Sequence, residues 1–197
     1  MNKNGIAYTV TFTFAICFVF VSVLALVNEA TLERVQQNQI VAQQRAVVNA
    51  MGFSFSSDEE VMEIFDGVET IELAHRVFYH TSRDGESIYA SEFTGQGLWG
   101  PIRTVIAMKD GFEEIAGLEI IDHEETPGLG GRITESEFKV RFSGLTIGPG
   151  AEVRLVPNPS GGDETEIQAI TGATQTSNSM QRIINSAIET FRTAFDA

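Results

Sequence analysis

The chain has 197 residues, enough for one ordinary domain and an anchor, and sets 13 Lys and Arg against 27 Asp and Glu for a formal net charge of -14. Such an acidic chain repels nucleic acid and anionic lipid headgroups, which sets aside a nucleic-acid role. Its one cysteine, Cys17, excludes a disulfide within the chain and any thiol-rich metal centre.

Residues 6 to 27 carry no charge and are rich in Phe, Val, Ile, Leu and Ala. At about 1.5 Å per residue, a helix of that length crosses a hydrocarbon core of about 30 Å. A cleaved signal peptide has a shorter apolar region, of about 7–15 residues, and a small-x-small exit. This run instead leaves through Asn28 and Glu29, so residues 1–28 read as an uncleaved transmembrane anchor. Lys3 precedes the span and Glu29 and Glu33 follow it. The positive-inside rule then puts the N-terminus in the cytoplasm and everything after residue 28 outside, the arrangement of a single-pass protein with an extracytoplasmic domain.

In residues 29–52, Leu32, Val35, Val41 and Val48 fall at roughly helical spacing, which predicts a helical stalk ended by Gly52. Residues 53–197 form one globular domain. Residues 76–80 and 87–93 read as strands joined across Asp84-Gly85, and 103–108 and 115–121 as a second hairpin across Asp110-Gly111. Thr134-x-x-Glu137 is a capping-box pattern and predicts a short helix over 134–142. Residues 153–156 and 167–170 read as strands flanking a polar loop. Met180, Ile183, Ile184, Ala187, Ile188 and Phe191 mark a C-terminal amphipathic helix. The expected class is α+β with an antiparallel or mixed sheet.

The stretch Ile170-Thr171-Gly172-Ala173-Thr174-Gln175-Thr176-Ser177 lies between a strand and that helix. Gly172 and Ala173 permit close backbone approach, and Thr174, Thr176 and Ser177 put hydroxyls near the positive end of the helix. From the residues alone, two readings stand: Thr176 or Ser177 caps the helix, or the turn holds a phosphate.

Thr171-Gly172-Ala173-Thr174 before a C-terminal helix resembles the flavinylation motif of the FMN-binding domain family, which includes the RnfG subunit of Rnf complexes and the NqrC subunit of sodium-pumping NADH:quinone oxidoreductases. Glu125-Thr126-Pro127-Gly128-Leu129-Gly130 resembles a second element of that family, and Gly97-Leu98-Trp99-Gly100-Pro101 a third. The three stand in the family's order, behind an N-terminal anchor. The resemblance implies FMN bound covalently by phosphoester to Thr174, with Thr171, Gly172, Ala173, Thr176, Glu125, Thr126, Gly128, Leu129, Gly130 and Trp99 around it. Leu129 and Trp99 suit the isoalloxazine as apolar or aromatic surfaces, and Thr126 suits the flavin edge as a hydrogen-bonding group. One departure stands out: the motif usually has Asp three residues before its first Ser or Thr, where this chain has Gln168.

The implied function is electron relay in a multi-subunit ion-translocating oxidoreductase, without a complete active site of its own, a catalytic side chain or a metal. Its partners would be the other membrane subunits of an Rnf- or Nqr-type complex, and a flavin transferase during maturation. The short chain favours the RnfG type, working between ferredoxin and NAD, while the Gly-Leu-Trp-Gly segment is closer to NqrC. A non-redox anchored interaction subunit is the reading from another class, as is a reductase acting on a diffusible acceptor. His123, beside Asp122 and Glu124, reads as a surface residue.

Overall fold

The computed structural model describes residues 5–83 and 85–195. Lys3 and Asp84, used above for orientation and for the first hairpin, lie outside the described residues. The chain divides into two units, Met1–Ile40 and Val41–Ala197.

The first unit consists mainly of helix α1 (Ile6–Ala50), whose last turns belong to the second. Phe12, Phe14, Phe18, Phe20 and Leu24 are all exposed along it. The helix is long and apolar enough to cross a membrane. Two hydroxyls of this helix are turned back onto its own backbone: Ser22 Oγ, within the apolar run, donates to the Phe18 carbonyl at 2.7 Å, and Thr31 Oγ1, beyond it, to the Val27 carbonyl at 2.9 Å. That removes the cost of an unpaired polar group in an apolar setting.

In the second unit, Ala46, Val47, Val48 and Ala50 are buried. The helix stops as expected at Gly52, whose φ of +81° lets the chain reverse while Phe53 N–H donates to the Val48 carbonyl at 3.1 Å. Helix α2 (Asp58–Asp66) follows, capped by Ser57 Oγ on Glu60 N–H at 3.3 Å, with Glu60 reaching back to Ser56 N–H at 2.7 Å.

Six strands then form one antiparallel sheet in sequential order: β1 (Glu69–Leu73), β2 (Arg76–Arg83), β3 (Glu86–Gln96), β4 (Pro101–Lys109), β5 (Glu114–Asp122) and β6 (Leu145–Thr146). Both expected hairpins are present, the second turning through Gly111 and Phe112 at positive φ. Between β5 and β6 the chain makes a 3-10 turn (Gly130–Thr134), the four-residue helix α3 (Ser136–Lys139) and a second 3-10 turn (Val140–Phe142). The expected capping box does not form. Thr134 Oγ1 donates to the Gly131 carbonyl at 3.0 Å, and Glu137 pairs with Arg141 at 2.7 Å, which leaves a single α turn.

Strands β7 (Arg154–Val156) and β8 (Glu166–Gln168) pair in parallel as a separate ladder. The final helix, α4 (Thr174–Phe195), lies on one face of the large sheet over a core containing Phe78, Phe93, Ile102, Ile106, Met108, Met180, Ile184 and Phe191. The opposite face is covered by the end of α1, with Val47, Ala50 and Met51 against Val105 and Ala107. Strand β4 is thus buried on both faces. A Cβ on Gly117 would run into the Ala50 carbonyl, so that position requires glycine.

Candidate functional site

Three loops converge on the N-terminus of α4, and they are the three motifs read in the sequence. After β8 the chain turns through Gly172 at φ +79° and enters the helix at Thr174. The first intrahelical bond runs from Ser177 N–H to the Ala173 carbonyl at 3.0 Å. The N–H groups of Thr174, Gln175 and Thr176 therefore have no helical acceptor. Neither hydroxyl proposed as a cap serves them. Ser177 Oγ accepts from Ile170 N–H at 3.1 Å, and Thr176 Oγ1 donates to Glu125 Oε2 at 2.5 Å. Thr176 and Ser177 are buried, whereas Thr174 and Thr171 face solvent. Of the hydroxyls in the turn, these two alone are open to modification.

Glu125 joins the loops. It is 4 % exposed, and its Oε1 accepts from Leu98 N–H at 2.7 Å and Trp99 N–H at 3.3 Å while Oε2 takes the Thr176 hydroxyl. Burying a carboxylate costs several kcal/mol. Three bonds to a charged group return about 1.5–3 kcal/mol each. The two sums are of similar size, so the arrangement contributes placement more than net stability. Gly97 and Gly130 make room for it: a Cβ on either would meet a Glu125 carboxylate oxygen, and on Gly130 also Thr176 Oγ1. His123 supports the same loop, its Nδ1 accepting from Glu125 N–H at 3.0 Å. The Thr126 carbonyl closes the following turn, accepting from Leu129 N–H and Gly131 N–H. Gly128, at φ +76°, carries that turn into Leu129.

Around these polar anchors the side chains are turned outward. Trp99 is 67 % exposed, Leu98 53 % and Leu129 47 %. Leu129 also reaches the third loop, with Cδ2 3.3 Å from where a Cβ on Gly172 would stand. Buried acid and hydroxyls under exposed apolar groups are the reverse of ordinary surface construction. Exposed large apolar groups gathered in this way mark an interaction or ligand-binding surface.

Of the predicted site residues, Glu125, Trp99, Gly130 and Thr176 form one bonded or touching group, and Leu129 and Gly172 form a second contact beside it. Ala173 is buried in the core and Thr126 is exposed on the rim. The sequence reading placed Leu98 and Ser177 in the motifs without giving them these roles, and took His123 for a surface residue. A His two residues before a buried Glu is a weak signal, and a backbone N–H leaves none. Gln168 is exposed, pairs with Val156 in the β7–β8 ladder, and its carbonyl accepts from Arg141 at 2.8 Å. Beside Thr171, a polar hollow of about 110 Å³ lined by Arg132, Arg141 and Phe138 is too small for a ring system. A groove of about 580 Å³ runs along α4 from Gln181 to Thr193 and includes none of the motif residues.

Comparison with known proteins follows the same residues. Residues 97–189 match the family model described as the FMN-binding domain. The chain is 35 % identical over 101 residues to the G subunit of the ion-translocating oxidoreductase complex of Methanosarcina acetivorans, an alignment covering 51 % of this chain and half the length of that relative. It is 29 % identical over 188 residues to the G subunit of the Na(+)-translocating ferredoxin:NAD(+) oxidoreductase complex of Acetobacterium woodii, covering 91 % of this chain and 88 % of the relative. In fold it is similar to the crystal structure of the C subunit of Na(+)-translocating NADH-quinone reductase from Parabacteroides distasonis, with a TM-score of 0.66 and 22 % identity over 80 % of this chain and 93 % of that one. Over residues 97–189, where the three loops meet α4, the chain is similar to the FMN-binding domain family.

Proposed function

We propose that this chain is the flavin-carrying electron-transfer subunit of an ion-translocating oxidoreductase of the RnfG type, with FMN joined by phosphoester to Thr174. The observation that carries the reading is the contrast between two threonines one residue apart. Thr176 is buried and bonded, while Thr174 is exposed as the first residue of α4, two residues after Gly172, where Leu129 reaches the turn. The residues fit the group. Unpartnered N–H groups at the positive end of a 22-residue helix suit a phosphate, and Leu98, Trp99 and Leu129 offer apolar area to a ring system.

When bound, the flavin accepts and releases the electrons. The chain's own part is to tether, orient and shield: Thr174 is the attachment point, and the Trp99 and Leu129 loops limit where the ring can lie. Glu125 already places a carboxylate near the helix N-terminus through Thr176, so free anions are held weakly there. A covalent tether overcomes that. Relay needs no acid–base side chain. Alignment with the Acetobacterium relative over most of both chains supports the RnfG type. The likeness in fold to the Parabacteroides NADH-quinone reductase protein keeps the NqrC type as the second reading.

In this reading α1 anchors the protein in the inner membrane with its N-terminus in the cytoplasm and the FMN domain outside. The partners are the other membrane subunits of the complex, and a flavin transferase installs the cofactor. The test is in-gel fluorescence of the denatured protein after co-expression with a flavin transferase. A fluorescent wild-type band that disappears in Thr174→Ala is expected. A dark wild-type band, with the transferase active on a control substrate, would contradict the reading.

A further inference from the structure

We propose that Glu125 is a positioning residue of this site, fixing the Leu98–Trp99 loop against the start of α4 and keeping an unneutralised negative charge beneath the flavin. The half that concerns the flavin rests on the function proposed above; the half that concerns the loop does not.

Residues 97–100 are the turn of the β3–β4 hairpin, whose base is fixed by the pairing of Gln96 with Pro101, so what remains to be placed is the tip of the turn. Leu98 and Trp99 point outward, so their side chains supply little packing. Within the loop, Gly97 N–H donates to the Gly100 carbonyl at 2.8 Å, which shapes the turn without attaching it to its neighbours. Attachment comes from Leu98 N–H and Trp99 N–H, both ending on Glu125 Oε1. The same carboxylate reaches across to α4 through Thr176. One side chain thus ties the tip of the turn, and with it the Trp99 backbone, to the first turn of α4.

The charge is a separate matter. Glu125 Oε1 accepts from two backbone N–H groups, and Oε2 and the Thr176 oxygen share a hydrogen across 2.5 Å. Among the described residues, no ion pair includes it, although Glu119 and Glu135, nearby in sequence, are each paired with a Lys or Arg. Facing it are the Thr176 hydroxyl, two N–H groups and the glycines 97 and 130, with Glu124 on the adjoining residue directed at Gly100. His123 presents Nδ1 to Glu125's backbone N–H and supplies no ion pair to the carboxylate. A fixed negative charge near a flavin opposes electron uptake and so lowers its midpoint potential. Glutamine has the same shape. Its carbonyl can still accept from Leu98 and Trp99, and its NH₂ can donate to the Thr176 oxygen, but the charge is gone.

Trp99 is the only tryptophan in the chain and therefore a built-in reporter. The experiment measures Trp99 emission anisotropy in the full-length apo protein, made without transferase, for wild type, Glu125→Ala, Glu125→Gln and Thr176→Val. The midpoint potential of the flavin-loaded wild type and Glu125→Gln is then compared by spectroelectrochemical titration. Expected results are a fall in anisotropy in Glu125→Ala, a smaller fall in Thr176→Val, wild-type anisotropy in Glu125→Gln, and a positive shift in potential in Glu125→Gln. If Glu125→Ala does not fold by circular dichroism, Thr176→Val and Glu125→Gln decide the matter. Unchanged anisotropy in folded Glu125→Ala, or in Thr176→Val where that is the deciding variant, overturns the positioning role. An unchanged or negative shift in Glu125→Gln overturns the electrostatic one. Absence of flavin on the wild type defeats the proposed function instead, and the apo measurement still judges the loop.

Discussion

The two ends of α4 are built on opposite plans. At its C-terminal end, Phe191 is fully buried with ring centroids 5.3 Å from Phe78, 5.7 Å from Phe93 and 5.7 Å from Phe112. Arg192 stretches across the surface to the Phe112 and Ile147 carbonyls. Apolar groups are inside and charge is outside. At the N-terminal end, Glu125, Thr176 and Ser177 are inside while Leu98, Trp99 and Leu129 are outside. A helix rooted in a conventional core can carry an inverted site at its tip, because the root supplies the stability that the tip gives up. Mutations at the two ends should therefore separate folding from flavin binding.

The largest effect on folding is expected at the root. Phe191→Ala should lower unfolding free energy by about 3–5 kcal/mol, read from urea denaturation, because it opens a cavity in the aromatic cluster. Below its transition the variant should still accept flavin. Next comes Asn185→Ala, midway along the helix. Asn185 accepts from Val153 N–H at 2.9 Å and donates to its carbonyl at 3.0 Å, doing the work of a neighbouring strand. Losing it leaves both backbone groups unpaired, for about 1–3 kcal/mol by the same assay. At the tip, Trp99→Ala should change stability by less than about 0.5 kcal/mol, as an exposed residue does. Its effect should appear instead in the loaded protein, as brighter flavin emission once the stacked quencher is gone.

The smallest effect is a local response to acid in the loop between β7 and β8, away from both ends. Asp163 accepts from the Thr165 hydroxyl at 2.7 Å and its N–H at 2.9 Å, and Glu166 accepts from Ser160 N–H at 2.8 Å. Those bonds hold both carboxyl groups below their ordinary range. A depressed carboxylate contributes fully above its ordinary range and loses that contribution as pH falls through its folded value. Hydrogen-exchange protection at Ser160 and Thr165 should accordingly be flat from neutrality down to the ordinary carboxylate range and decline below it.

How much of this was legible in the sequence depends on the range of the forces involved. The hairpins at 110–111 and the helix after Thr174 were readable because turn chemistry and periodicity are local. Strand β1 was not, since an edge strand reading Glu-Thr-Ile-Glu-Leu has no aromatic run and owes its state to pairing with β2. Helix α2 could have been found from Ser57-x-x-Glu60. The same pattern at Thr134 misled, because Gly131 offered its carbonyl to that hydroxyl first. At the site, resemblance supplied the residue names, while Glu125's place between Trp99, 26 residues away, and Thr176, 51 residues away, could be seen only in the fold.

The most direct test of the central claim is to locate the flavin on the chain. Trypsin should release residues 155–182 of the transferase-treated protein as one peptide holding Thr165, Thr171, Thr174 and Thr176. Fragmentation in a mass spectrometer should place the FMN phosphoester on Thr174, with Thr171 and Thr176 unmodified. An unmodified peptide, or a flavin on Thr171 or Thr176, would contradict the account.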